Sequence, residues 1–237
     1  MITSLNDIDQ KIFSIYESKW GKISDILQKN KKLSYPLFMS VPQAYLEAKM
    51  KLLIVGQQPY EWGFNVKENS REEKILLDPV NILMQMYSKF AFGKNYYGPG
   101  KNYRSPFWDA ARKVYTSLNP EGPEHGFAWS NLLCIDSRNK RVDNATEENL
   151  LTLNLLTEEI RLIKPNVVIF FTGPRYDGCI KETFCNVRFK MIEKGLDVLE
   201  HPNLPMKSFR TYHPKYLRMS KRWKLLDEIS DLIKVKK

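Results

Sequence analysis

Cysteine is scarce in this chain: three residues in 237, at positions 134, 179 and 185, with no CxxC pair among them. An odd number without paired spacing argues against a disulfide framework and against a four-cysteine zinc or iron–sulfur site. No stretch approaches the ~18 consecutive apolar residues of a membrane span. Residues 1–11 alternate polar and apolar types and lack the apolar core of a signal peptide, so a soluble, cytoplasmic protein is expected. Glycine and proline, 11 and 13 in number, are dispersed, with no linker and no repeat. A single domain over 1–237 is therefore expected, with 1–50 as a helical region packed on it. Acidic residues are also in short supply, 27 against 37 Lys and Arg, for a formal charge of +10. Such a surplus favours a polyanionic partner, because each phosphate contact releases condensed counterions. The plainer alternative is a lysine-rich surface that keeps the protein dissolved.

What is present is ample apolar material, 43% of residues, enough for a real core. Ile8, Ile12, Ile15, Tyr16, Trp20, Ile23 and Leu27 keep helical spacing. Asp78-Pro79 and Ser105-Pro106 read as helix starts, with a capping side chain followed by proline. Asn144 and Glu147 suggest a capping box that opens a helix running to Lys164-Pro165. Short apolar runs at 51–55 (KLLIV), 131–135 (NLLCI) and 167–171 (VVIFF) read as buried strands, and 187–191 and 208–212 as weaker ones. Trp223, Leu226, Ile229 and Ile233 mark a C-terminal amphipathic helix. Strands alternating with helices point to an α/β protein with three α/β/α layers and a central, mostly parallel four-stranded sheet.

In such sheets ligands bind beyond the carboxyl ends of the strands. Those ends here carry GQQPY at 56–60, Asp136-Ser137, Thr172-Gly-Pro174 and Tyr212-His-Pro214. In that context LIVGQQPY at 53–60 resembles the first motif of uracil-DNA glycosylases, a strand running into Gly-Gln-Asp-Pro-Tyr-His. HPKYL at 213–217 is similar to their last motif, His-Pro-Ser-Pro-Leu. SNLLC at 130–134 and FTGP at 171–174 resemble the central Asn-bearing strand and the Trp-Gly-Ser segment of the same family. The resemblance runs in order from about residue 51 to the C-terminus.

The resemblance implies a metal-independent DNA glycosylase with no cofactor, acting as a monomer on single- or double-stranded DNA in the nucleoid. It would hydrolyse the N-glycosidic bond of uracil or a related damaged base flipped out of the stack. Catalytic positions are then His213, which donates to the base oxygen as negative charge develops, together with Gln57 and Gln58. Asn131 would read the base edge through its amide, Tyr60 would fill the space of a thymine methyl, and Phe64 would stack on the base. Leu217 would enter the gap left in the stack, with Lys215, Arg218, Lys221 and Arg222 on phosphates. Lys101 and Arg104, in the basic and aromatic loop 94–104 (KNYYGPGKNYR), would track the backbone. Each residue also has a plainer reading: a loop histidine beside proline, a strand-edge Asn, a core tyrosine, a solvated basic helix face.

One departure bears on the chemistry. The family's first motif supplies a carboxylate where this chain has Gln58, and its histidine is replaced by Glu61. An amide carbonyl can orient water but cannot take a proton at pH 7. Glu61 or Asp136 could stand in for the missing charge. The alternatives that remain are a weak or inactive DNA-binding relative, and a phosphate-binding α/β protein that uses Gly56 and Thr172-Gly173 as anion loops.

Overall fold

The computed structural model describes residues 6–63, 77–92, 105–123 and 126–235. Helix α1 (Asp7–Lys29) begins at Asn6, whose side-chain oxygen accepts from the Ile8 and Asp9 amides. Its apolar stripe buries Ile12, Tyr16 and Ile23. Buried Asp9 then accepts from the Val41 amide at 2.7 Å and the Ser40 hydroxyl at 2.9 Å. That tie fixes the extended segment leading to the short helix α2 (Gln43–Glu47).

The sheet holds six strands: β1 (Leu52–Gly56), β2 (Ala128–Asn131), β3 (Val167–Phe171), β4 (Arg188–Glu193), β5 (Leu196–Glu200) and β6 (Lys207–Thr211). Their order is β2-β1-β3-β6-β5-β4. The first four in that order are mutually parallel, while β5 runs antiparallel to β6 and β4 antiparallel to β5. The expected four strands thus account only for the parallel part. The hairpin β4–β5 extends it, turning at Gly195, whose φ of +94° suits glycine alone. Its signal is weak in sequence because β4 is exposed or half-exposed along its whole length, so it lacks the unbroken apolar run of a buried strand.

The remaining helices are α3 (Pro79–Phe92), α4 (Pro106–Leu118), α5 (Asn144–Leu151), α6 (Leu155–Ile163), α7 (Asp177–Thr183), α8 (Pro214–Met219) and α9 (Leu225–Lys234). Helix α1 packs on α3 and α6, and α4 packs on α8 and α9. Neighbouring residues of β2 show that the two groups cover opposite faces of the sheet, since successive strand side chains alternate. Ser130 donates to Glu159 of α6 at 2.5 Å, whereas Asn131 lies on the Gly56 face together with Phe107 of α4.

Two local expectations are corrected. The helix after Arg141 is capped by Asp143, which accepts from the Thr146 amide at 2.9 Å, rather than by Asn144. Glu147 is drawn away by Arg141, which meets both of its carboxylate oxygens. That helix also breaks into two at Asn154, which sits at φ 55°. Further, β2 ends at Asn131 instead of starting there. Leu132 and Leu133 leave the sheet with their amides bonded to Gly56 and Gln57 carbonyls, and that apolar continuation mimics a strand.

Candidate functional site

Because β1, β2, β3 and β6 are parallel, their carboxyl ends share one edge of the sheet. That edge brings together Gln57 and Gln58, Asn131, Thr172 with Gly173, and Tyr212 with His213. Among the buried polar atoms without a hydrogen-bond partner in the described residues, Asn131 Nδ2, Thr172 Oγ1 and Thr211 Oγ1 lie at this edge. Leaving a buried donor unpaired costs about 1–3 kcal/mol, and a ligand with matching acceptors would recover it.

His213 precedes α8 and caps it. Its Nδ1 accepts the Lys215 backbone N–H at 3.2 Å. A backbone amide can only donate, so Nδ1 carries no proton and the neutral ring holds its hydrogen on Nε2. Burial, aided by the nearby Lys215 charge, lowers the imidazole pKa to about 4. At neutral pH the ring is therefore an uncharged N–H donor. Phe107 runs nearly parallel to it, with centroids 6.0 Å apart at 27°, and packs edge-on to Phe171 at 5.9 Å.

Asn131 faces Gly56 in register across the β1–β2 ladder. Its amide lies over the Gly56 Cα, where a methyl group would come 2.2 Å from Oδ1 and 3.4 Å from the Phe107 ring. Glycine is required at 56 by this close approach, not by an unusual backbone angle. The outcome is a buried amide bordered by an aromatic ring, with an N–H that has no acceptor among the described residues. On the opposite face Glu159 accepts from Ser130 and from the Tyr16 hydroxyl, each at 2.5 Å. Full burial raises its carboxyl to about 7. It also lines a small cleft behind Asn131 with Ser130 and Cys134.

Both glutamines are gripped by the segment after β3. The Gln57 amide donates to the Thr172 carbonyl at 2.7 Å, and the Gln58 carbonyl accepts the Tyr176 hydroxyl at 3.0 Å. Tyr176 is buried in the 3-10 turn Pro174–Tyr176. The Arg141 guanidinium stands 4.6 Å over its ring and is anchored by Glu147. With its carbonyl so occupied, Gln58 turns its NH2 group away from Tyr176 as a donor.

Other expected residues fall differently. Tyr60 is 74% exposed, so its side chain points to solvent instead of filling space in a pocket. Leu217 is fully buried because it faces inward on α8 beside Pro214, and no apolar wedge stands there. Arg218 is engaged, held by Asp109 at 2.7 Å and lying 4.8 Å over Trp223. Lys215 is exposed. Phe64, Lys101 and Arg104 lie outside the described residues. Asp136 is fully buried, with its carboxyl raised by desolvation. It accepts the Glu61 amide at 2.8 Å and so braces the loop after β1, where Glu61 adopts φ 51° and is itself exposed. The anion-loop reading meets an obstacle as well: the Gly173 N–H is spent on the Thr211 carbonyl at 2.9 Å, and Asn131 fills the space over Gly56.

Phe107 and Tyr176 are the contributors that motif reading misses, since neither lies on a strand end. The only hint for Phe107 is its place one residue after the Ser105-Pro106 helix start. Among the described residues no three or more His, Cys, Asp or Glu side chains are grouped for a metal ion, and no helix is long and apolar enough to cross a membrane. No family model matches the chain, and no curated protein sequence matches it.

Proposed function

We propose that this protein is a DNA glycosylase of the uracil-DNA glycosylase kind. It would hydrolyse the N-glycosidic bond of uracil or a related damaged base held at the carboxyl ends of β1, β2, β3 and β6. The observation that carries the reading is two pre-set donors at one edge of the sheet: the neutral His213 ring with its proton on Nε2, and the buried Asn131 Nδ2, which has no acceptor among the described residues. When the C1′–N bond breaks, its electron pair goes to the base, and an uncharged N–H aimed at a base oxygen stabilises that anion without prior reorganisation. Water then bonds to C1′ and gives up its proton to solvent. Among the described residues, Phe107 offers an aromatic face beside the His213 ring. Helices on both faces of the parallel strands suit the α/β/α layering of that family. The protein would work as a monomer on DNA in the cytoplasm, through the basic surface that its +10 charge supplies.

A second reading, a DNA-binding relative that holds a flipped base without cutting it, is favoured by one contact. Tyr176 ties up the Gln58 carbonyl, and among the described residues no carboxylate takes its place at the end of β1. Single-turnover release of free base from a uracil-containing single strand separates the two. On the glycosylase reading the wild type releases base, His213→Ala loses about 10²–10³ in rate, and Gln58→Asp releases faster by restoring charge beside the sugar. DNA binding without release in wild type and Gln58→Asp alike would leave the second reading standing.

A further inference from the structure

Helix α8, which follows His213, turns two large side chains outward that the pocket does not use. It buries Pro214 and Leu217 and leaves Tyr216 50% and Met219 74% exposed. Tyr216 does not stand alone, because its ring lies against Tyr212 with centroids 4.6 Å apart at 48°. Tyr212 in turn is clamped over the β4–β5 turn, where a methyl group on Gly195 would come within 2.1 Å of its Cε2. The pair is thus a backed aromatic step, fixed to the sheet from behind and open in front. Tyr212 is the residue before His213, so the step adjoins the candidate site along the chain.

Cationic residues neighbour it along the chain. Lys215 and Lys221 are exposed, and among the described residues neither forms a salt bridge. Arg222 is held by the Lys194 carbonyl at 3.0 Å, its charge partly offset by Glu193. Arg218 is excluded by its pairing with Asp109. An exposed ring with exposed lysines near it in sequence, Lys215 next to it and Lys221 just past the end of the same helix, matches a flat, aromatic ligand carried on a phosphate backbone. Every nucleobase offers such a face, whatever its identity. A base inside a duplex has both faces covered by its neighbours, so only an unpaired base can use the step without unstacking.

We propose that the Tyr212–Tyr216 step is a stacking platform for a base of single-stranded nucleic acid, next in the strand to the base held at His213 and Asn131. This rests on the reading of the pocket given above, but its test needs no base release.

The test is fluorescence anisotropy with a labelled oligothymidylate of about 12 nucleotides and the corresponding duplex, titrated with the full chain over a range of salt. Tyr216→Ala should weaken single-strand binding by roughly 5- to 150-fold, the loss of one base–aromatic stack, with the salt slope unchanged because no charge is removed. Tyr216→Phe should bind as wild type does. Lys215→Ala should instead shallow the log–log salt slope by roughly 0.7. Duplex binding should not respond to Tyr216→Ala. The variant's thermal melt serves as the folding control, and the residue's exposure predicts no change. Wild-type affinity in Tyr216→Ala would overturn the platform and leave the pocket reading untouched. An equal loss on duplex would overturn the single-strand assignment in favour of a duplex wedge. No binding of wild type to either oligonucleotide at low salt would remove both the platform and the pocket reading.

Discussion

Replacing Gly56 with alanine tests how Asn131 is held, and the geometry sets the size of the effect. The added methyl would lie 2.2 Å from Asn131 Oδ1, while the next nearest atoms, Asn131 Cγ and Phe107 Cε2, are each 3.4 Å away. Only the amide oxygen therefore has to move. Gly56 has no positive φ, so alanine brings no backbone strain of its own. Forcing a methyl into a filled site costs about 1–3 kcal/mol, and Gly56→Ala should lose that much. Asn131→Ala removes the obstacle and also an unpaired buried donor, whose burial is itself unfavourable by about 1–3 kcal/mol. It should be neutral or stabilising despite deleting a buried side chain, the mark of a residue kept for binding rather than for stability.

The double variant should then be about as stable as Asn131→Ala alone, which makes the coupling between the two positions about 1–3 kcal/mol. Urea unfolding of the four proteins, compared at a common m-value, measures it. Additive losses to within ~0.5 kcal/mol would refute the placement of the amide over Gly56. A clearly destabilised Asn131→Ala would show that the amide has a structural partner, and would undercut its role as a waiting donor.

Two pH measurements follow from buried groups. His213 should titrate near pH 4 in ¹⁵N NMR with its hydrogen on Nε2, and a midpoint near 6.5 or an Nδ1–H tautomer would contradict the donor assignment. Its folded pKa lies below the unfolded one, so its stability contribution is full above about pH 6.5 and is lost as pH falls toward 4. Glu159 works in the opposite sense: its folded pKa of about 7 exceeds the ordinary glutamate value of 4.5, so the folded state keeps a proton that the unfolded state has released. Wild type should lose up to about 3 kcal/mol relative to Glu159→Gln as pH rises from 4.5 to 7, and parallel stability curves for the two proteins would rule this out.

The parallel core was legible because buried parallel strands are written as unbroken apolar runs, as in 167–171 and 52–56. The β2 boundary slipped for the same reason: apolar Leu132, Leu133 and Ile135 continue past Asn131 after the chain has left the sheet. Strand β5 escaped because Asp197 interrupts its apolar residues, yet Asp197 is buried beside Arg210, which it meets at 2.8 Å. At the candidate site, His213 and the two glutamines could be found because they follow strand ends, whereas Asn131, read at the start of a strand, came only from the resemblance of SNLLC to the family's Asn-bearing strand. Phe107 and Tyr176 could not, since a contact from a helix start or a 3-10 turn is settled by tertiary packing. Leu217 illustrates the limit in one turn of helix. Motif alignment puts it at the DNA, whereas the inward face of α8 takes Pro214 and Leu217 together and leaves Tyr216 and Met219 outside.

The polar groups at the strand ends are unequal in what they can stabilise. Neutral His213 donates through Nε2, Asn131 through Nδ2, and Gln58 through its NH2 once Tyr176 has taken its carbonyl. All three suit electron-rich atoms, such as the oxygen of a departing base anion. None can offset positive charge on a sugar. Asp136, the carboxylate that sequence spacing offers as a substitute, has one oxygen on the Glu61 amide and none of its surface exposed. It serves the loop, and its raised pKa reflects burial more than any tuned reactivity. On the proposed reading, the described residues therefore lower the barrier almost wholly from the leaving-group side. A site built that way discriminates by how well the free base carries negative charge, and it favours bases whose anions are stable in their own right. Restoring a carboxylate at position 58 would act on the other half of the reaction, so its effect should multiply that of His213 rather than replace it.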